Sequence, residues 1–347
     1  MSVSDYHRQI LEARRIGLAL IGRQEALLLE LLQEYAEEIE RIVRRGFGTT
    51  AHQRLLAQLR EIIVQLTREM AASTAQGIRL TAERIAEIHA RATVALAGEA
   101  VVGAAFGSVG LQAAQAVLSR PELSRAFVSI RREAIETVDR ILQRGILRGA
   151  TPAQIARELR AYIAAPESLL EGDAALLRDR RRIGYKAIEA LGYEPTPENL
   201  ARVRAEASRI ASRAQLIART EIATAAHEAA VQAAIASPVV AAVRWTLSSR
   251  HPEPDACDLL AEGDCYGLGA GVYDPRAVPA KPHPRCLCYL RHVLRPPKEW
   301  GQPRSPLPER ILDPAALVEA EGLPPSQLRQ LEQAIELGEQ RLPPDGE

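Results

Sequence analysis

The stretch Glu25 to Arg45 reads EALLLELLQEYAEEIERIVRR, and its apolar side chains Leu28, Leu32, Tyr35, Ile39 and Ile42 recur every three or four residues with Glu and Arg between them. That spacing matches the 3.6-residue period of an α-helix and predicts an amphipathic helix with one buried face. Gly46-Phe47-Gly48 interrupts the pattern, and a second stripe follows through Leu55, Leu59, Ile62, Leu66 and Met70. Two long helices joined by a short turn make an antiparallel hairpin. A third segment, Thr81 to Leu96, carries the pattern on through Ile85 and Ile88.

Further along, Ala100 to Leu118 holds no charged residue, but it is rich in Ala and Gly, is interrupted by Ser108, Gln112 and Gln115, and follows Glu99. A carboxylate at the edge of a span is costly in lipid, so a helix pair broken between Gly107 and Gly110 is expected instead of a membrane crossing. Pro121 opens another helix that continues through Val138, Ile141, Leu142 and Ile146. Thr151-Pro152-Ala153-Gln154 reads as a helix start in which Thr151 caps, Pro152 takes the first helical position and Gln154 reaches back. The pattern lapses into a loop around Pro166 to Asp173, and a long helix is expected from Glu198 to about Ala236.

Composition then changes abruptly. Val239, Val240, Val243, Trp245 and Leu247 form a short β-prone stretch, followed by Pro, Gly, Cys and His at high density. Pro296 to Pro308 reads as an extended linker, and Asp313-Pro314 and Ser326 each open a short terminal helix. The expected fold class is therefore mainly α: a long N-terminal helical hairpin or bundle over 1–120, a helical middle region over 121–236, and a small α+β module bearing Cys and His over 237–295. A Pro-rich linker and short helices follow over 296–347.

Lys+Arg and Asp+Glu both number 44, so the 347-residue chain as a whole has no net field to draw it onto nucleic acid or an anionic membrane. Any DNA contact must be local, and Arg178, Arg180, Arg181 and Arg182, gathered around Asp179, are the candidate phosphate contacts. A solvated helix face is the plainer reading of the same cluster. Aromatic residues make up only 4%, so the cores must be built from Leu, Ile, Val and Ala, which suits close-packed helices. Met1 to Arg15 carries charges of both signs and no continuous apolar stretch, so it does not read as a signal peptide, and synthesis in the cytoplasm is expected.

All four cysteines fall between Cys257 and Cys288, together with His251, Asp255, Asp264 and His283. In a reducing compartment such a cluster points to zinc, which prefers tetrahedral Cys and His ligands, and the candidate ligands are Cys257, Cys265, His283, Cys286 and Cys288. If 283–288 is extended, Cys286 and Cys288 point to one face. Small-residue packing, a disulfide pair and a Cys/His catalytic pair are the other readings, and the spacing does not choose among them. Between the cysteines, Gly267, Gly269 and Gly271 permit tight turns in a segment that lacks the Lys-Ser/Thr of a phosphate loop.

Ala218-Arg219-Thr220-Glu221 on a helix, then Trp245, then Asp255-Ala256-Cys257-Asp258, then Gly267 to Tyr273, then Pro282-His283-Pro284-Arg285-Cys286-Leu287-Cys288, form an ordered series. Over about residues 150–295 it resembles the minor head or head-morphogenesis proteins of tailed phages, typified by the F protein of phage Mu. Many members have Cys-x2-Cys after the Asp, whereas here Leu260 stands in the second place and Cys265 comes later. The resemblance implies a structural, non-enzymatic virion component made in the bacterial host and placed in the head interior near the portal vertex. Its implied partners are the portal protein, coat or scaffold protein and packaged DNA, with no membrane. Arg219 and Glu221 match the family's helix motif, and a bridge from that helix to the small module is the expected role. A virion-carried nuclease or transferase using Arg219, Glu221, His251 and Asp255, or a DNA-binding assembly factor, is the alternative.

Overall fold

In a computed structural model describing residues 1–46, 52–102, 105–164, 196–197, 210–249, 251, 255–307, 310–311 and 325–339, the chain is mainly helical with a small three-stranded antiparallel sheet. The helices are α1 (Val3–Gly46), α2 (His52–Ala97), α3 (Glu99–Val102), α4 (Val109–Leu118), α5 (Pro121–Leu147), α6 (Pro152–Ile163), α7 (Ile210–Ala236), α8 (Ala256–Glu262) and α9 (Pro325–Glu339). The strands are β1 (Val240–Thr246), β2 (Val272–Tyr273) and β3 (Tyr289–Leu294). No described helix is long and apolar enough to cross a membrane, and the uncharged stretch after Glu99 is divided between α3 and α4, with the break ending before Val109 and Gly110 lying inside α4.

The chain forms two compact units, each assembled from separate segments. One comprises Arg23–Thr74 and Pro121–Ala218; the other comprises Met1–Gly22, Ala75–Arg120 and Arg219–Glu347. The segments 1–120 and 121–236 are thus each shared between the units, while 237–295 lies wholly within the second. Because α1, α2 and α7 run from one unit into the other, no loop between elements marks the boundary there.

In the first unit the stripe that predicts α1 is buried: Leu28, Leu32 and Ile39 have no exposed surface, and Val43 takes the fully buried place that the periodicity gave to Ile42. Its partner stripe on α2, from Leu55 to Met70, is buried in the same way. Tyr35 donates to Glu69 Oε1 at 2.6 Å and Gln24 to Ser73 Oγ at 3.0 Å, partners whose numbers run in opposite directions, as an antiparallel hairpin requires. The α6 start is the expected capping box, with Gln154 N donating to Thr151 Oγ1 at 3.3 Å and Thr151 N to Gln154 Oε1 at 2.8 Å. Arg160 ties α6 to α1 through Glu40 at 3.0 Å, and Arg213 pairs with Glu133.

In the second unit β1 is the central strand, antiparallel to β2 on one side and β3 on the other. Its registers set Trp245 opposite Leu290 and Val243 opposite both Tyr273 and His292, with a bulge between Val240 and Ala242. Val243 and Trp245 are buried while Arg244 between them is exposed, so the alternation of a sheet with one covered face is present. The core beneath joins Val231 and Ala234 of α7, Leu259 and Leu260 of α8, and Leu331 and Ile335 of α9. Burying this many aliphatic side chains, at about 1.5 to 3 kcal/mol each, is what holds a small sheet that could not stand alone.

The stretch after β3 departs from the expected extended linker. Its described part, to residue 307, holds a 3-10 turn at Pro297–Glu299, a Trp300 Nε1 donation to Arg295 O at 3.0 Å, and an Arg304 guanidinium that reaches the end of α7. Arg304 donates to the carbonyls of Ala234, Ile235 and Ser237, and to Ala241 O at 3.4 Å. The carbonyls at a helix C-terminus have no intrahelical donor and carry negative partial charge, so one buried guanidinium satisfies several at once.

Candidate functional site

The site is built by a short helix and a turn meeting at one edge of the sheet. Asp255 caps α8, accepting from Cys257 N at 2.6 Å, while Asp258 Oδ2 accepts from Asp255 N at 2.8 Å. This capping box fixes Cys257 in the first turn of α8, with its sulfur in the protein interior. The other wall is His283-Pro284-Arg285-Cys286, a turn closed by Cys286 N donating to His283 O at 3.4 Å. Arg285 makes the turn with φ of 64°, the one non-glycine residue among those described that adopts the left-handed region. Cys288 follows just before β3.

These elements bring Cys257, Cys286 and Cys288 together with their sulfurs within 4.8 Å of one another, all three buried. Cys257 Sγ lies 3.4 Å from Cys286 Sγ and 3.2 Å from His283 Nε2. The same His283 nitrogen faces Asp255 Oδ2 at 3.1 Å, so Asp255, Cys257 and His283 form a second close group that shares Cys257 with the first. His283 Nδ1 donates to Pro284 O at 2.9 Å, which directs Nε2 into the cluster. The residues therefore could hold a metal ion: three sulfurs and one oriented imidazole nitrogen is a donor set that soft, tetrahedral ions take.

The same groups hold one another by hydrogen bonds and shared protons, which a bound metal would displace. Hydrogen bonds from Cys257 and Cys288, with Lys281 nearby, hold the Cys286 thiol far below its ordinary value, while Cys257 is pushed up as the donor of the same pair. Lys281 Nζ lies 3.9 Å from Cys286 Sγ and donates to Cys288 O at 2.7 Å, placing a positive charge against the developing thiolate. For His283 burial acts downward, but its contacts with Asp255 and Cys286 outweigh it and raise the ring to about 10. Asp255 is held below the usual carboxylate range, its burial outweighed by His283 and the Cys257 N–H.

Of the five candidate metal ligands, Cys265 is not in the cluster. It sits in the core beside Tyr266 and Tyr273, its carbonyl accepts from Ile311 N at 2.9 Å, and its thiol is pushed up by burial. All four thiols are free, so the disulfide reading is not the one adopted.

The other motif residues have structural places. Gly267, Gly269 and Gly271 all have positive φ, and a side chain at Gly271 would collide with the carbonyl oxygen of Ala261. Trp245 is buried on β1 with its ring against His227 at 5.5 Å, and His227 in turn bonds Pro279 O at 3.0 Å. Arg219 and Glu221 lie within α7 and are half-buried, and the residue between them, Thr220, accepts from Arg285 N at 3.3 Å. That bond, to the motif helix, was not legible from spacing; the shared signal was only that both segments carry recognisable motifs. His251, which the enzymatic alternative groups with Arg219, Glu221 and Asp255, lies 3.7 Å from Asp255 and 2.6 Å from Asp258. Arg178, Arg180, Arg181 and Arg182 lie outside the described residues.

Compared with protein-family models, with curated proteins and with solved structures, the chain matches none.

Proposed function

We propose that this chain is a minor structural protein of a tailed-phage or prophage head, associated with the portal and the capsid interior, and acting in head morphogenesis or in packaging and delivery of the genome. The observation that carries the reading is the bond from Arg285 N to Thr220 Oγ1, which links the helix-motif residues Arg219 to Glu221 with the His-Pro-Arg-Cys turn inside one unit. Motif blocks that resemble one family and are separated by more than sixty residues meet there, which supports a single module over a chance assortment of short matches. The portal protein is the proposed partner, with coat or scaffold protein and packaged DNA as further contacts.

Zinc is the proposed ion, held by Cys257, Cys286 and Cys288 through sulfur and by His283 through Nε2. Four protein ligands leave no open position, so the ion would supply stability to the turn and not a reactive water. Lys281 offsets thiolate charge, Asp255 caps α8, and the Pro284 carbonyl on Nδ1 orients the imidazole.

The test is co-purification of the chain with the portal protein of the same genome, with metal content measured on the same sample. Stable association and about one zinc per chain are expected. A chain that neither binds portal nor enters heads overturns the head-protein reading, and a metal-free chain overturns the zinc.

A further inference from the structure

A cavity of about 70 Å³ opens between α1, α2, α7 and the segment that leads into β3, all within one unit. Small residues leave this space: Ala13 and Gly17 on α1 and Ala223, Ala226 and Ala230 on α7. Gly17 is close enough to α7 that a side chain there would touch Ala226 Cβ at 3.4 Å, so the helices are held near each other while the truncated side chains leave a hollow beside the contact. A water position needs at least about 10 to 15 Å³ of such space, so this cavity has room for about five to seven atoms of a ligand.

Its charge is one-sided. Arg14 and Lys281 line it, and no Asp or Glu does among the described residues. Arg14 stacks over the Tyr289 ring with its guanidinium carbon 3.7 Å from the centroid, and its Nε is buried with no hydrogen-bond partner. Stacking fixes the plane of the guanidinium but satisfies none of its N–H donors, and a buried donor without an acceptor is costly. The two lining histidines do not supply that acceptor: His227 is engaged with Pro279 O, and His89 Nδ1 is itself buried without a hydrogen-bond partner.

From this geometry we infer that the cavity binds a small amphipathic monocarboxylate, of about three to five carbons, with its carboxylate on Arg14 and its alkyl tail along the Ala and Gly wall. The planar guanidinium offers paired N–H donors that match a carboxylate, and Lys281, which also lines the cavity, adds positive potential. An alkyl chain gains about 0.8 kcal/mol for each buried CH2, so the tail contributes affinity and the head sets the charge preference. The inference stands independently of the head-protein reading, since it uses neither the motif turn nor the portal.

Pentanoate, titrated into the full chain by calorimetry, is the probe, with 1-pentanol and pentylamine as matched neutral and cationic controls. Saturable pentanoate binding at least tenfold tighter than pentanol, and none by pentylamine, is expected. Arg14→Gln should weaken pentanoate at least tenfold, and Ala230→Leu, which fills the hollow without touching the charge, should abolish binding while the circular dichroism spectrum is unchanged. Absence of saturable pentanoate binding, equal binding of pentanol, or binding unaltered by Ala230→Leu in a folded protein overturns the inference.

Discussion

The backbone N–H of Arg285 donates to the Thr220 hydroxyl at 3.3 Å, and Arg285 does so from a left-handed conformation with φ of 64°. The conformation turns the chain sharply enough for His283 and Cys286 to face the same interior point, and the bond anchors that turn on α7. Left-handed backbone costs a non-glycine residue about 1 kcal/mol or more, so the turn is held by what surrounds it.

Arg285→Gly is expected to leave the unfolding free energy unchanged or raise it by about 0.5 kcal/mol, because relief of the φ penalty offsets the added freedom of the unfolded chain. Arg285→Val should lower it by about 1 to 2 kcal/mol, since a β-branched residue fits this region worst. Denaturant unfolding of the two variants decides the matter: equal losses in both would mean that φ is not what constrains the position.

Metal content separates the cysteines. Cys257→Ser, Cys286→Ser, Cys288→Ser and His283→Ala should each remove most of the bound zinc, whereas Cys265→Ser should retain it, because Cys265 packs with Tyr266 and Tyr273 away from the cluster. Chelation of the wild-type chain should lower its melting temperature, as metal binding energy in a structural site is folding energy. Zinc lost equally on Cys265→Ser would place that residue among the ligands after all.

Removing the Arg304 side chain should cost about 2 to 3 kcal/mol, because Arg304→Ala strips donors from several buried carbonyls at the end of α7. Arg304→Lys should recover only part of that, as an ammonium cannot span carbonyls that a planar fork reaches together. Thermal unfolding measures both, and an Arg304→Ala variant as stable as wild type would refute the capping role.

Two buried histidines set an acid limit on stability. Tyr6 OH donates to His292 Nδ1 at 2.7 Å, and the His89 and His292 rings lie 5.0 Å apart with His89 Nδ1 and His292 Nε2 buried and unpartnered. Burial lowers His89 from 6.5 to about 4 and holds His292 well below 6.5, with His89, His7 and Arg304 adding like charge there. Both rings are therefore neutral in the folded chain, and the unfolded chain takes up their protons first as pH falls. The contribution is complete above about pH 6.5 and is lost between there and pH 4, with His89 alone accounting for about 3 kcal/mol. Unfolding free energy measured from pH 7.5 to 4 should fall across that window and fall less in His89→Leu; a flat wild-type profile would contradict the assignment.

The helices of the hairpin were legible because periodicity is a local property: Leu28, Leu32, Ile39 and the stripe from Leu55 to Met70 record burial in their own spacing. So were the Thr151 capping box and β1, whose signals span only a few residues. The cysteine cluster was legible as a cluster, but its membership was not. Which thiols meet depends on where the α8 cap and the Arg285 turn aim their side chains, and that placed Cys286 and Cys288 on Cys257 and left Cys265 in the core.

By itself the sequence determined the helix-rich class, the hairpin stripes, the position of the small sheet and the stretch in which a metal site could form, since each is written in spacing between near neighbours. Only the tertiary structure decided that the compact units are discontinuous, that Arg304 closes α7, that His89 and His292 share one buried place, and that Thr220 meets Arg285. Those are contacts between residues distant in the chain, and they arise from side-chain volume and hydrogen-bond satisfaction in three dimensions, for which linear spacing carries no signature.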